Sequence, residues 1–369
     1  MTVSLRNPET IPVLRVVYKV GSRKLITALC VATYMSFAYT TITASRPDLQ
    51  TPASIGTDAS NYYAAGQRLN DGHQLYALQA GDRRIGNGGT SPNRWSYPLL
   101  SPPPIAVLWR PLAMIPGDLS MYLWWWAGIL ASIAFVAWLI PRSSTSLQLL
   151  ALLLAPSMAT TLWSGNLNAL LIPLSAVLWW AGSRGKSNLA GFIVGVSTLL
   201  KLMPGMYLWW LILLGDRRGV RSVVVTVAAG LMLSVLGAGL AAHFQYLDVA
   251  AQANSVGLSG LSPVSIARTM GIGPPFAQWA PYAIAAVCAA EAWLMRLRPE
   301  WCFAACTVGV ALGTPDLRIE TLAWLLVAMV PFAAKRRHSP AGATRAVEPP
   351  KAAVHAPAAL HGPGPLGGR

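Results

Sequence analysis

Met121–Ile140 reads MYLWWWAGILASIAFVAWLI, twenty residues without a charge, closed two positions later by Arg142. An α-helix rises about 1.5 Å per residue, so such a run spans the roughly 30 Å hydrocarbon core of a bilayer. Similar apolar runs recur outward in both directions. They are Leu25–Ala44, Leu147–Trp163, Ala169–Ala181, Leu189–Leu200, Met203–Leu214, Val223–Leu240, Pro281–Leu294, Cys302–Gly313 and Thr321–Ala334. The composition agrees: 54% of the 369 residues are hydrophobic, 11% are charged, and the mean hydropathy is +0.47. Soluble domains carry about 25% charged residues. The expected fold is therefore an all-α integral membrane protein, a multi-pass helical bundle.

The net charge of +15 could suggest nucleic acid, but the cations are not spread as a patch. They form short clusters between apolar runs: Arg184 with Lys186, Arg217 with Arg218 and Arg221, Arg296 with Arg298, and Lys335–His338. Cytoplasmic loops of membrane proteins carry this excess of Lys and Arg, so the partner is the lipid bilayer and not a nucleic acid. The basic stretch before Leu25 (Arg6, Arg15, Lys19, Arg23, Lys24) places residues 1–24 in the cytoplasm. No convincing small-residue cleavage site follows, so the first run is read as an anchor. Residues 25–334 then form one multi-pass domain with outer loops at 45–120 and 242–278. The Pro/Ala/Gly-rich residues 335–369 form a disordered cytoplasmic tail. Both termini are expected inside, in the plasma membrane. The runs Leu189–Leu200 and Met203–Leu214 have basic flanks at both ends, which calls for an even number of crossings, a hairpin or a re-entrant pair.

One long polar interval, Ser54–Pro116, separates the first two runs, and long ordered loops are usually functional. Asp58–Leu69 reads as a short amphipathic helix, Asn70–His73 as a turn, and Gly81–Asn93 as a Gly-rich segment. Pro102–Pro104 should stop any helix before the short apolar Ile105–Ile115. Asp58 has two readings: a general base at the outer face, or a helix N-cap. Arg268, Arg318, Arg94 and Lys201 could hold a phosphate, since a guanidinium pairs with phosphate oxygens in a bidentate way. Each could equally be an interfacial anchor. Lys201 stands out because it interrupts apolar sequence. Tyr62, Tyr63 and Tyr97 could line a substrate groove or an aromatic belt. Asn166 and Asn168 could cap a helix or bond substrate. His73 and His243 read as solvated loop residues. The four cysteines, including Cys302 and Cys306 one turn apart, read as small membrane-helix residues. The outer loops hold no Asp-x-Asp, and neither a metal nor another cofactor is expected.

Several of these residues form an ordered series. Asp58 is followed by Tyr62-Tyr63-Ala64-Ala65, Gly72-His73-Gln74-Leu75-Tyr76, Tyr97-Pro98, Pro103-Pro104 and Pro111–Pro116. Gly165-Asn166-Leu167-Asn168, Lys201-Leu202-Met203-Pro204 and Arg217-Arg218 come next. The series resembles glycosyltransferase family 87, the actinobacterial transferases that use polyprenyl-phosphate sugars and have the GT-C membrane fold. Asn166 stands where that family's Gly-Gln-x-Asn element has Gln. The resemblance covers roughly Thr57–Arg218 and implies Asp58 as general base. It also implies inverting transfer on the outer face from a polyprenyl-phosphate sugar, mannose above all, to a glycolipid or lipoglycan acceptor. Mannosyltransferases of the family carry Ser-Pro-x-x-Trp-x-His in the last outer loop. Here the stretch is Thr314-Pro315-Asp316-Leu317-Arg318-Ile319-Glu320. It has no histidine, so Arg318 could supply the same positive charge or the donor sugar could differ, and Glu320 is a substrate-binding candidate. Arabinofuranosyl transfer, a lipid-linked sugar flippase and a non-catalytic partner are the competing readings.

Overall fold

The computed structural model describes residues 24–37, 39, 57–77, 99–256, 261–315 and 317–335. Arg94, Tyr97 and Asp316 lie outside them. The described chain is helical, with no strand among the described residues. The first helix, α1 (Lys24–Phe37), packs on the later helix α5 (Thr145–Leu153). The Tyr34 hydroxyl donates to Ala151 O at 2.8 Å, and Gln148 Nε2 donates to Thr27 Oγ1 at 2.8 Å. Between them lie α2 (Thr57–Asn70), α3 (Pro103–Trp109) and α4 (Gly117–Arg142). The prolines at 103 and 104 open α3, with Pro102 extended ahead of it. A proline in the first turn lacks only an N–H that would have no intrahelical partner anyway.

α4 is long and apolar enough to cross a membrane by itself, over Leu119–Arg142. Arg142 ends it with its guanidinium 5.3 Å from the Trp138 ring centre and donating to Trp138 O at 2.7 Å. The run Leu147–Trp163 is two helices, α5 and α6 (Ala155–Trp163), bent by 42°. Pro156, in the first turn of α6, cannot continue the ladder of α5.

α7 (Asn168–Ser183) leads to the basic turn at Arg184–Lys186, and α8 (Ser187–Leu200) returns from it. Lys201 is extended, with φ −154°, and a 3₁₀ turn at Met203–Gly205 reverses the chain into α9 (Met206–Leu213). α8 and α9 are therefore the two limbs of a hairpin, each shorter than the two helices long enough to span alone. Asp216 then caps α10 (Arg217–Ala238) by accepting from Gly219 N at 2.9 Å. α10 is the second helix long enough to span alone. It packs closely on α8, where a Cβ on Gly195 would stand 2.7 Å from Thr226 Cβ.

α11 (Leu240–Val256), α12 (Pro263–Thr269) and α13 (Pro274–Ala277) fill what reads in the sequence as a polar interval. His243 lies on α11, not in a solvated loop. Its Nδ1 is 3.0 Å from Gly239 O and its Nε2 is 3.0 Å from Ser234 Oγ, which ties α11 to α10. α14 (Ala280–Leu294) and α15 (Pro299–Leu312) form an antiparallel pair, followed by a 3₁₀ segment at Ile319–Trp324, α16 (Leu325–Ala328) and α17 (Val330–Lys335). Aromatic side chains fill the centre: Phe303 lies 5.0 Å from Tyr207, 5.0 Å from Trp210 and 5.1 Å from Trp179, ring centre to ring centre. The cationic turns before α8 and before α10 lie together at one end of the bundle, joined by Ser222 Oγ donating to Asn188 O. The ends of α6 and α8 and the starts of α2, α7 and the 3₁₀ segment gather at the other.

Candidate active site

Asp58 lies in the first turn of α2, and the turn after α6 sets its position. Ser164 O accepts from the backbone N–H of Asp58 at 2.9 Å and of Ala59 at 3.4 Å. The first N–H groups of a helix have no partner within it, and here a carbonyl from the end of another helix supplies one. Gly165 allows the approach: its φ is +64°, and a Cβ there would lie 2.8 Å from Ala59 Cβ. Two indoles of α4 hold the same turn, Trp124 Nε1 donating to Gly165 O at 2.9 Å and Trp125 Nε1 to Leu162 O at 2.5 Å.

The Asp58 carboxylate is engaged by a residue 108 positions away. Asn166 Nδ2 donates to Asp58 Oδ2 at 2.6 Å. Asn166 Oδ1 accepts from the backbone N–H of Asn168 at 2.8 Å, and Asn168 Oδ1 accepts from Lys201 Nζ at 2.9 Å. Asn168 is fully buried, and its Nδ2 has no hydrogen-bond partner among the described residues. Asp58, Asn166, Asn168 and Lys201, read separately from the sequence, thus form one connected set.

Glu320 and Arg318 face this set from the 3₁₀ segment. Burial pushes the Glu320 carboxyl above the ordinary carboxylate range, Arg318 and Lys201 pull it back, and Asp58 pushes it further up. The Arg318–Glu320 pair is loose at 3.9 Å. Thr161 Oγ1 lies 3.1 Å from Glu320 O, so α6 braces both the Asp58 turn and the Glu320 segment. Tyr62 follows Asp58 by four positions and so shares its face of α2. It is buried against Trp109 and Trp124, with ring centres 6.0 and 6.2 Å away. Burial raises its phenol pKa strongly, and the Asp58 charge adds to the rise.

Other candidates stand apart. The Tyr63 hydroxyl is turned toward Ile115 O at 3.4 Å and accepts from Gln67 at 3.0 Å. Arg268 is in the last turn of α12, whose Ser262 Oγ donates to Pro315 O at 2.7 Å, three residues ahead of Arg318. His73 is exposed after the Gly72 turn. Ser164, Thr161 and Trp124 contribute to the site without having been expected. Ser164 acts through its backbone carbonyl, which has no side-chain signature. Thr161 and Trp124 act from within apolar runs, where composition explains them already.

A carboxylate with one oxygen fixed and cations nearby is suited to taking a proton beside an anionic leaving group. In comparison with known families, the profile of glycosyltransferase family 87 matches residues 100–317. The chain belongs to glycosyltransferase family 87. No curated relative and no solved structure matches it. The family 87 match takes in Asn166, Asn168, Lys201 and Arg268 but begins after Asp58. The hydrogen bond from Asn166 is what joins Asp58 to the matched region. As a member of this family the protein is a membrane glycosyltransferase, with a sugar donor and an acceptor as its substrates.

Proposed function

We propose that this glycosyltransferase has a GT-C-type fold and moves mannose from a polyprenyl-phosphate donor to a glycolipid or lipoglycan acceptor at the outer membrane face, with inversion. Asp58 is the general base. The observation that carries this reading is the Asp58 carboxylate held by Asn166 at 2.6 Å, within the electrostatic reach of Glu320, which Arg318 and Lys201 also reach. In the reaction the acceptor hydroxyl gives its proton to Asp58 as its oxygen bonds to the anomeric carbon. The bond from that carbon to the phosphate oxygen breaks, and the lipid phosphate leaves with the electron pair. Arg318, beside Glu320, is the guanidinium proposed to offset the charge that develops on it, with Arg268 as a second candidate. An apolar groove between α3, α8 and α10, lined by Pro104, Val107, Leu199, Gly230 and Leu233, supports a lipid-borne donor.

The test is sugar transfer in membranes by the native chain, Asp58→Ala and Asp58→Asn at matched expression. A general base contributes roughly 10²–10⁴-fold, so both variants should lose about that much. Undiminished transfer by Asp58→Asn would remove Asp58 from this role. Because Glu320 stands where related mannosyltransferases carry histidine, polyprenyl-phosphate arabinose is assayed beside the mannose donor. Transfer from arabinose alone makes the protein an arabinofuranosyltransferase, and transfer from neither favours a flippase.

A further inference from the structure

We infer that Asn166 is a positioning residue that clamps the base Asp58, and that Lys201 serves this clamp through Asn168 and does not contact the donor phosphate. The inference rests on the reading of Asp58 as base. An amide side chain can be turned either way, but both amides here face groups that only donate. The backbone N–H of Asn168 cannot accept, so it meets Asn166 Oδ1 at 2.8 Å and turns the Asn166 NH₂ toward Asp58. That NH₂ is in turn a pure donor, so the Asp58 oxygen it meets at 2.6 Å is held as an acceptor. The Oδ1 side of Asp58 is left for the incoming hydroxyl proton. A rotating carboxylate would present the proton-accepting oxygen only part of the time, and fixing it is the kind of preorganisation that transition states reward.

Lys201 fixes the second amide. Its ammonium can only donate, so Asn168 Oδ1 faces it at 2.9 Å. Asn168 is the first residue of α7 and fully buried, and Lys201 supplies the only hydrogen bond to its side chain among the described residues. Replacing the ammonium with an apolar group would leave that buried amide with neither oxygen nor nitrogen satisfied. The amide would then reorient, and with it the α7 start whose N–H locks Asn166. The charge at Lys201 thus has a structural partner that accounts for its place in the break after α8. The same ammonium keeps further donors, so kinetics must decide between the two roles.

The experiment uses the full chain in nanodiscs with a polyprenyl-phosphate sugar that it transfers. Asn166→Leu and Lys201→Met should lower kcat on the order of 10- to 100-fold, less than loss of the base itself. The donor KM should stay within about twofold, because the clamp touches no substrate. Asn166→Gln, which keeps the donor, should recover most of kcat, and Lys201→Arg should recover part. Should Asn166→Leu not accumulate, Asn166→Ser carries the same expectations. A raised donor KM with unchanged kcat in Lys201→Met would make Lys201 a phosphate contact and overturn its assignment. Native kcat in Asn166→Leu, with Asp58→Asn inactive, would overturn the clamp and leave the base standing. An active Asp58→Asn would remove the base reading itself.

Discussion

Glu320 is a half-buried carboxyl, its side chain 13% exposed, just ahead of the apolar run Thr321–Ala334. Burial is the largest influence on it and raises its pKa. Between the ordinary carboxylate range and the raised value, the folded protein therefore holds a proton that the unfolded chain has lost. Stability then falls as pH rises through that window. The unfolding midpoint of the native chain in detergent should drop as the pH rises above the ordinary carboxylate range, and Glu320→Gln should drop less. Equal slopes in both proteins would mean that Glu320 is solvated. At this scale the sequence showed which residues matter better than what each one touches. Asn166, Asn168, Lys201 and Glu320 were visible as polar residues breaking apolar sequence, and Asp58 as the early acid of the long polar interval. The bond from Lys201 to Asn168 was not, because the two are 33 positions apart on different helices. Tyr62 and Tyr63 looked alike, and only the helical period separates the one beside Asp58 from the one facing Ile115.

The contact between α8 and α10 depends on small side chains. Gly191 and Gly195, one turn apart on α8, meet Gly219, Ser222 and Thr226 on α10. Apolar helices in a bilayer gain little from burying more hydrocarbon, and close approach through small residues is what holds them together. Gly195→Leu forces the pair apart and should cost about 1–3 kcal/mol, seen as a lower unfolding midpoint. Val225→Leu, on the lipid-facing side of α10 at 61% exposure, should change it by no more than about 0.5 kcal/mol. Comparable shifts in the two variants would mean that α8 and α10 are not in tight contact. The elements themselves were unevenly legible. Pro204 announced the break after Lys201, and Pro156 places the bend between α5 and α6. α11 was hidden because His243, Gln245, Asp248 and Gln252 made its sequence look like a loop, although Leu240–Val256 contains neither Gly nor Pro.

Across the whole molecule, charge and site separate to opposite ends, and this polarity gives the last prediction. Arg184 and Lys186 follow α7, and Arg217 and Arg218 begin α10 beside them. Ser222 Oγ donates to Asn188 O at 2.8 Å and fixes the two turns together. Both Arg184 and Lys186 lie over the Trp180 ring, with charge-to-centre distances of 5.1 and 4.2 Å, as cations at a membrane interface do. Asp58 and its clamp sit at the far end of α7, sixteen residues or about 24 Å of helix away. If the basic end is cytoplasmic, a donor carried in the outer leaflet meets Asp58 without its phosphate crossing the bilayer. The four native cysteines are buried, so single introduced cysteines report cleanly. Asp71→Cys, in the exposed turn after α2, should react with a membrane-impermeant maleimide on intact cells. Lys186→Cys, exposed at the other end, should react only after permeabilisation. The reverse pattern would put the site on the cytoplasmic side and would rule out an outer-leaflet donor, whatever Asp58 does chemically.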